Sequence, residues 1–347
     1  MGEPSFSLGI DENGLGPRLG PLIVTGVLAR TTAGGTAIAN AKPRGRLSKR
    51  LGDSKKLVAF GNAALGEAWA REVSRRTRVG AGAGAPDALI HALAIEERES
   101  LRALCPTHHV AQCWSDAGEA FEADHALCKL VSSDLDRLFE AGVEILGVHV
   151  AIVCTKRLNL EVERGRSRFD VDLHTMERIA LAARARAGSE IYATCGKVGG
   201  FDRYGERFGP LAGQLHATVC EGRARSEYTF PGTGTLAFVR DAEDENLLVC
   251  MASLIGKWVR DRLMSRIVRF YREPDPDLPD ASGYHDPVTT RFIAASALAR
   301  RSRGVDDGCF QRNRLEIAAV SRPEASTSAP RRGSASRRRP RGTPATR

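Results

Sequence analysis

Two short apolar runs near the N-terminus, residues 6–12 and 21–29, are joined by a glycine- and proline-rich turn, Asn13-Gly14-Leu15-Gly16-Pro17-Arg18-Leu19-Gly20. Apolar runs bounded by turn residues predict two neighbouring strands of one sheet. The first run ends in adjacent acids, Asp11 and Glu12. Two carboxylates side by side at a strand end are costly unless something positive neutralises them, and hard divalent cations held by oxygen ligands do so. Gly14 and Gly16 let the backbone approach a ligand closely, with φ values that other residues resist. The plainer alternative is an acidic strand end followed by an ordinary glycine turn.

The rest of the chain alternates in kind. It turns polar around residues 51–57 (LGDSKKL), then reads as mostly helical from about 58 to 144, broken by GAGAGAP at 80–86. A third strand is predicted at 145–154 and a helix at about 172–187, with acids early and arginines late as the helix dipole prefers. A fourth strand is predicted at 190–194, running into Cys195-Gly196-Lys197, and a fifth at 235–239. Helical pattern resumes from about 244 to 271, and a Pro/Asp loop precedes a last helix at about 286–301. Strands interleaved with helices predict a mixed α/β domain around one central sheet.

Composition bounds the class. At 347 residues the chain has room for about two domains, or one with insertions. With 42% hydrophobic and 27% charged residues it is globular rather than wholly disordered. No run of about 18 apolar residues occurs, and no basic region followed by an apolar stretch opens the chain, so neither a membrane span nor a signal peptide is expected. Of the net charge of +9, residues 321–347 carry +7, from eight Arg against Glu324 alone. That Ser/Pro/Arg/Ala tail is expected to be disordered, either a solvated end or a sequence-blind tether for phosphates. Eight cysteines at irregular spacings, with no export signal, suggest reduced thiols in a cytoplasm.

The stretch GIDENGLGPRLGP (9–21) resembles the first motif of the type 2 ribonucleases H, in which an Asp-Glu pair precedes a Gly-x-Gly-Pro turn and a second strand. LGDSKKL (51–57) is similar to that family's Asp-Ser-Lys-Lys-Leu segment, and MASLIGKWVRD (251–261) to its Ala-Ser-x-x-Ala-Lys-x-x-Arg-Asp helix. Ser282-Gly283-Tyr284, with Asp286-Pro287 and Thr290-Arg291-Phe292, is similar to its C-terminal segment. The four motifs stand in the family's order between residue 6 and about residue 315. Segments 58–144 and 197–233 are longer than such a core needs and are expected to be insertions.

The resemblance implies a ribonuclease H-like mixed sheet flanked by helices and a metal-dependent endonuclease. Its substrate would be the RNA strand of RNA–DNA hybrids, or a lone ribonucleotide in duplex DNA. It implies carboxylates holding Mg²⁺ or Mn²⁺, with Asp11, Glu12 and Glu243 as both catalytic and metal-binding residues. Glu243 stands where the family has Asp, so Asp241 and Asp244 are substitute candidates. The third carboxylate is missing: Cys195, or Thr194, falls in its place, and a thiol is a poor ligand for Mg²⁺. Asp170, Asp172 and Asp202 are candidates to compensate. Gly14, Leu15, Gly16 and Tyr284 are implied at the ribose 2′-OH, and Lys55 and Lys56 at phosphates. Leu15 replaces a residue that is basic in many relatives, and His285 follows Tyr284 where Pro is usual. Lys257 is open between phosphate contact and solvent.

A separate set, Cys105, His108, His109, Cys113, His125 and Cys128, offers tetrahedral ligands for a structural zinc, against the alternative of free cysteines in a helical core. Two functional classes follow: a hybrid-cleaving enzyme, or a module that grips RNA–DNA duplexes without turnover, which the Cys195 position favours. A third is an interaction protein using the helical segments, whose partners the sequence does not name.

Overall fold

The computed structural model describes residues 5–80, 82–105 and 112–313. The arginine-rich tail at 321–347 lies outside the described residues, as do His108 and His109. Among the described residues, seven strands form one sheet: β1 (Ser5–Asn13), β2 (Leu22–Thr31), β3 (Val143–Val153), β4 (Ile191–Gly196), β5 (Ala217–Cys220), β6 (Arg225–Phe230) and β7 (Gly234–Val239). Their order is β3-β2-β1-β4-β7-β6-β5. β1 and β2 are antiparallel from Ser5↔Thr31 to Asn13↔Ile23, whereas β1, β4 and β7 run parallel through the centre. The expected α/β class with a mixed central sheet is the one found, and none of the described helices is long and apolar enough to cross a membrane.

Strand alternation sends each face of β1 to a different helical layer. Leu8 and Ile10 join a core with the Arg168–Ala187 helix and the aromatics Tyr204, Phe208, Tyr228, Phe230 and Phe238. Residues 9 and 11 face the Leu247–Arg272 helix. That helix lies so close that a Cβ at Gly9 would come within 2.4 Å of the backbone of Leu248 and Val249. It begins at 247 because Asn246 caps it, its Oδ1 accepting from the Leu248 and Val249 amides at 2.9 and 3.0 Å.

The two segments expected as insertions are continuous with this architecture. Residues 197–233 contain β5 and β6, and Ser226, Tyr228 and Phe230 point inward from β6 with the period of two that a strand requires. The intervening Arg225 and Glu227 pair with each other at 2.6 Å on the other face. Within 58–144, the Ala64–Thr77 and His125–Glu140 helices pack into the same core as the 247–272 helix. The tie is also ionic. Arg266, fully buried on the 247–272 helix, donates to Asp87 at 3.0 Å and to both oxygens of Glu119 at 2.8 and 2.6 Å. Removing one partner of such a network strands buried charge, so Arg266→Leu is expected to destabilise the whole domain by about 3–5 kcal/mol in urea unfolding. A cost under about 1 kcal/mol would mean that this ion network does little to tie 58–144 to the helix.

Candidate active site

β1 carries Asp11 and Glu12 out of the sheet on opposite faces, at the mouth of a cleft also lined by Lys55, Gly196 and Glu243. Glu243 belongs to a short turn at Ala242–Asp244, just ahead of the 247–272 helix. Ser253, one turn and a half into that helix, sets its hydroxyl 3.0 Å from both Glu243 Oε1 and Ser54 Oγ. The chain therefore brings together acids more than 200 residues apart, with Asp11 on the Glu243 side of the sheet. Burial, then Glu12 and Glu243, push Asp11 well above the usual carboxylate range, against the opposing pull of Ser253 and Lys55. Glu243 is itself raised, mainly by burial.

Glu12 turns to the other layer, where Asp172 on the 168–187 helix is fully buried with both carboxylate oxygens unpartnered. Burial and then the Asp172 charge push Glu12 up to about 8. Asp172 is driven up by burial and by Asp11. Of the three acids named as compensating candidates, Asp172 alone faces the cluster. Asp170 closes the capping box with Ser167 and bonds Arg207, and Asp202 pairs with Lys197 at 2.9 Å. Sequence spacing could not separate them, because the choice depends on which face of the 168–187 helix meets the sheet.

The missing-acid position needs correction. Cys195 points into the core on the 168–187 side, away from the cleft. Register pairs Ile10 with Cys195, which leaves the next residue, Gly196, beside Asp11. A Cβ at Gly196 would stand 3.4 Å from Asp11 Oδ1 and 3.7 Å from Glu12 Oε2, so this is the strand position from which a side chain reaches both acids. Of the substitutes for Glu243, Asp241 is exposed beside Arg240 and Asp244 pairs with Lys42, both on the cleft rim.

The glycine turn is held from behind. Gly14 has φ +90°, and a Cβ there would fall 2.5 Å from Arg260 Nε, so both conformation and space require glycine. Gly16 is open on all sides, while the Leu15 side chain packs partly onto the apolar core. Arg312 was not singled out in the sequence. It is buried, has no carboxylate partner among the described residues, and donates to the carbonyls of Gly14 (2.6 Å), Leu15 (3.1 Å) and Gly20 (2.7 and 3.0 Å). Burial, with Arg260 and Arg168 nearby, holds its guanidinium well below its usual pKa. The Gly283 carbonyl accepts from the Arg18 and Leu19 amides at 2.8 and 3.1 Å, docking the Tyr284 segment onto this same turn. The Tyr284 ring is half exposed, and the Arg260 guanidinium lies 4.6 Å from its centre.

Lys55 faces the three acids of the cleft, whereas the exposed Lys56 pairs with Asp53 at 3.1 Å. Lys257 pairs with Asp261 at 3.4 Å. The zinc set does not assemble as expected. Cys128 is buried in the core between helices and His125 starts the 125–140 helix, while His108 and His109 lie outside the described residues. Among the described residues no three His, Cys, Asp or Glu side chains are arranged, as they stand, to hold one metal ion.

No protein-family model matches the sequence, and no curated protein matches it. Solved structures similar to it include ribonuclease HII of Archaeoglobus fulgidus in complex with PCNA (16% identity, 90% of this chain, 96% of that one, TM-score 0.39). Ribonuclease H2 of Pyrococcus horikoshii OT3 gives 14%, 88%, 92% and 0.38, and Bst-RNase HIII in complex with Mn²⁺ gives 12%, 85%, 71% and 0.36. These are distant likenesses.

The raised acids set a pH dependence. A carboxyl that keeps its proton in the folded chain binds more protons folded than unfolded, so stability falls as pH rises from the unfolded to the folded pKa. For Glu12 that window runs from about 4.5 to about 8. In the presence of a chelator, Tm is expected to fall between pH 5 and 8, with a limiting slope of about 1.4 kcal/mol per pH unit for each such group. Glu12→Gln should flatten the profile; an unchanged profile would show that Glu12 ionises normally.

Proposed function

We propose that this chain is a divergent relative of the type 2 ribonucleases H that cleaves RNA strands in RNA–DNA hybrids, or at single ribonucleotides in duplex DNA, with Mg²⁺ or Mn²⁺. The observation that carries this reading is the convergence of Asp11, Glu12 and Glu243 in one cleft beside a glycine turn backed by the Tyr284 segment. The donor set fits a hard divalent cation: its groups are carboxylate oxygens, crowded and only partly neutralised by Lys55, and Asp172 adds two buried oxygens without partners. Divalent cations bound there would supply Lewis-acid stabilisation and a water of lowered pKa.

Asp11, Glu12 and Glu243 would hold the metal, and Asp172 would supply from the helix the negative charge that Gly196 lacks on the strand. Ser253 orients Glu243 through its hydroxyl. Gly14 and Gly16 present bare backbone to the ribose, and the exposed Tyr284 ring offers a face against it, so the 2′-OH separates RNA from DNA. Lys55 and Lys56 would balance phosphate charge without reading bases.

A labelled hybrid incubated with Mg²⁺ or Mn²⁺ tests this. Cleavage by the wild type should drop by roughly 10²–10³-fold in Asp11→Asn, the several kcal/mol a metal ligand contributes. Asp172→Asn should slow cleavage about tenfold or more, and adding Gly196→Asp to that variant should restore it. Binding of the hybrid without any product would instead support the second reading, a duplex-gripping module, which the side-chain-free Gly196 favours.

A further inference from the structure

Residues 42–50, Lys42-Pro43-Arg44-Gly45-Arg46-Leu47-Ser48-Lys49-Arg50, hold five cations and no acid. Both ends of this loop touch the rim of the carboxylate cleft. Lys42 pairs with Asp244, and Asn40 Oδ1 accepts from Nδ2 of Asn246, the cap of the 247–272 helix, at 3.0 Å. At the other end Asp53 caps the Ser54–Leu57 helix, and Asp53 and Lys55 line the cleft itself. The chain therefore leaves the cleft at residue 42 and returns to it at residue 53.

The loop is pinned from within. Pro43 and Leu51 are buried, and Leu47 packs onto the apolar core. Gly45 has φ +60°, and its carbonyl accepts from the Ser48 hydroxyl at 2.9 Å. Trp69 Nε1 donates to the Arg50 carbonyl at 2.8 Å. Arg44 and Arg46, both exposed, line a surface cavity of about 300 Å³ together with Arg137 and Asp134 of the 125–140 helix. Asp134 is buried and already satisfied: Arg50 donates to its two oxygens at 2.6 and 2.9 Å, and Arg137 at 3.2 Å. Among the described residues Arg44, Arg46 and Lys49 make no ion pair, so the cavity is left strongly positive.

Resting on the reading of the cleft as the seat of an RNA–DNA hybrid, we propose that Arg44, Arg46 and Arg137 form a second contact that grips the duplex's phosphate backbone beyond the cleft. Guanidinium forks meet phosphate oxygens two at a time, and a pinned loop presents them with little ordering left to lose. Extended chain spans at most about 3.6 Å per residue, which puts Arg44 within about 7 Å of Lys42 along the chain and Arg46 within about 14 Å. One strand of a duplex advances about 3.4 Å per base, so these arginines meet phosphates about two to four steps from the rim at Asp244. Contacts of this kind position the duplex and read no sequence. Because the same loop forms the cleft's rim, the strand that enters the cleft is favoured as occupant over an acidic protein.

Binding of a labelled hybrid by the full-length chain in chelator, measured across a salt series, tests this. Each phosphate contact adds about 0.9 to the slope of log affinity against log salt. Arg44→Gln/Arg46→Gln/Arg137→Gln should lower that slope by about 2–3 and weaken binding at 0.1 M salt by at least about tenfold. Arg44→Gln/Arg46→Gln, which breaks no ion pair among the described residues, should lower it by about 2 with Tm unchanged. Arg164→Gln/Arg203→Gln/Arg272→Gln, an equal loss of charge elsewhere, should move it by less than about 0.5. With Mn²⁺ present the loss should fall on KM rather than kcat. A hybrid bound with the same slope by wild type and by both cavity variants would overturn the proposal and leave the reading of the cleft standing. A wild-type chain that neither binds nor cleaves the hybrid would overturn both. A change in affinity for inorganic phosphate or polyglutamate alone, with that for the hybrid unaltered, would assign the cavity to a small anion or an acidic protein and overturn the proposal.

Discussion

Like charge held out of water at the end of β1 governs this molecule. Asp11 and Glu12 leave the central strand toward opposite helical layers, and each meets a further acid there, Glu243 on one side and Asp172 on the other. Lys55 offsets part of this charge, but burial and mutual repulsion still raise the cleft acids toward keeping their protons. A cation entering among these acids must displace their protons, so its binding strengthens as pH rises and releases protons. The surrounding fold is built to sustain this arrangement. Asn246 caps the helix next to Glu243, Ser253 fixes that carboxylate, and Gly9 lets the helix lie against the strand.

The glycine turn is kept in shape by a different device, a buried cation that no acid among the described residues balances. Arg312 meets four carbonyl contacts from three residues of the β1–β2 connection, and its neighbours are other arginines. A guanidinium in that position is strongly directional, since its planar fork matches several acceptors at once. It couples the C-terminal end of the described chain to the first turn after the acids, and Gly283 clasps that turn from the other side. Backbone that is held this firmly can present its free amides in one geometry.

Much of this was legible from residue order. The strand–turn–strand at 6–29 and the acids at its first strand end were readable because both rest on local pattern: apolar runs, glycine spacing, and adjacent charge. The 247–272 helix was readable for the same reason, though its start was expected near 244 and its Asn246 cap was not foreseen. What escaped depends on which face of an element meets another. Asp172 and Asp170 differ by two positions, yet one faces the sheet and the other a cap. A one-residue change in β4 register exchanges Cys195 for Gly196 at the acids, since neighbouring residues point to opposite faces. β6 was hidden because Arg225 and Glu227 interrupt its inward triplet, and Arg312 because no sequence rule predicts a buried arginine that grips backbone carbonyls.

The central claim is that the carboxylates of β1 and residue 243 share a cation. Anomalous diffraction from a crystal soaked in Mn²⁺ addresses it directly. The account predicts a peak at ligand distance, about 2–2.5 Å, from oxygens of Asp11, Glu12 or Glu243, on the side of the cleft facing Gly196. Saturating Mn²⁺ with no density among these acids, or with density only at the surface, would contradict it.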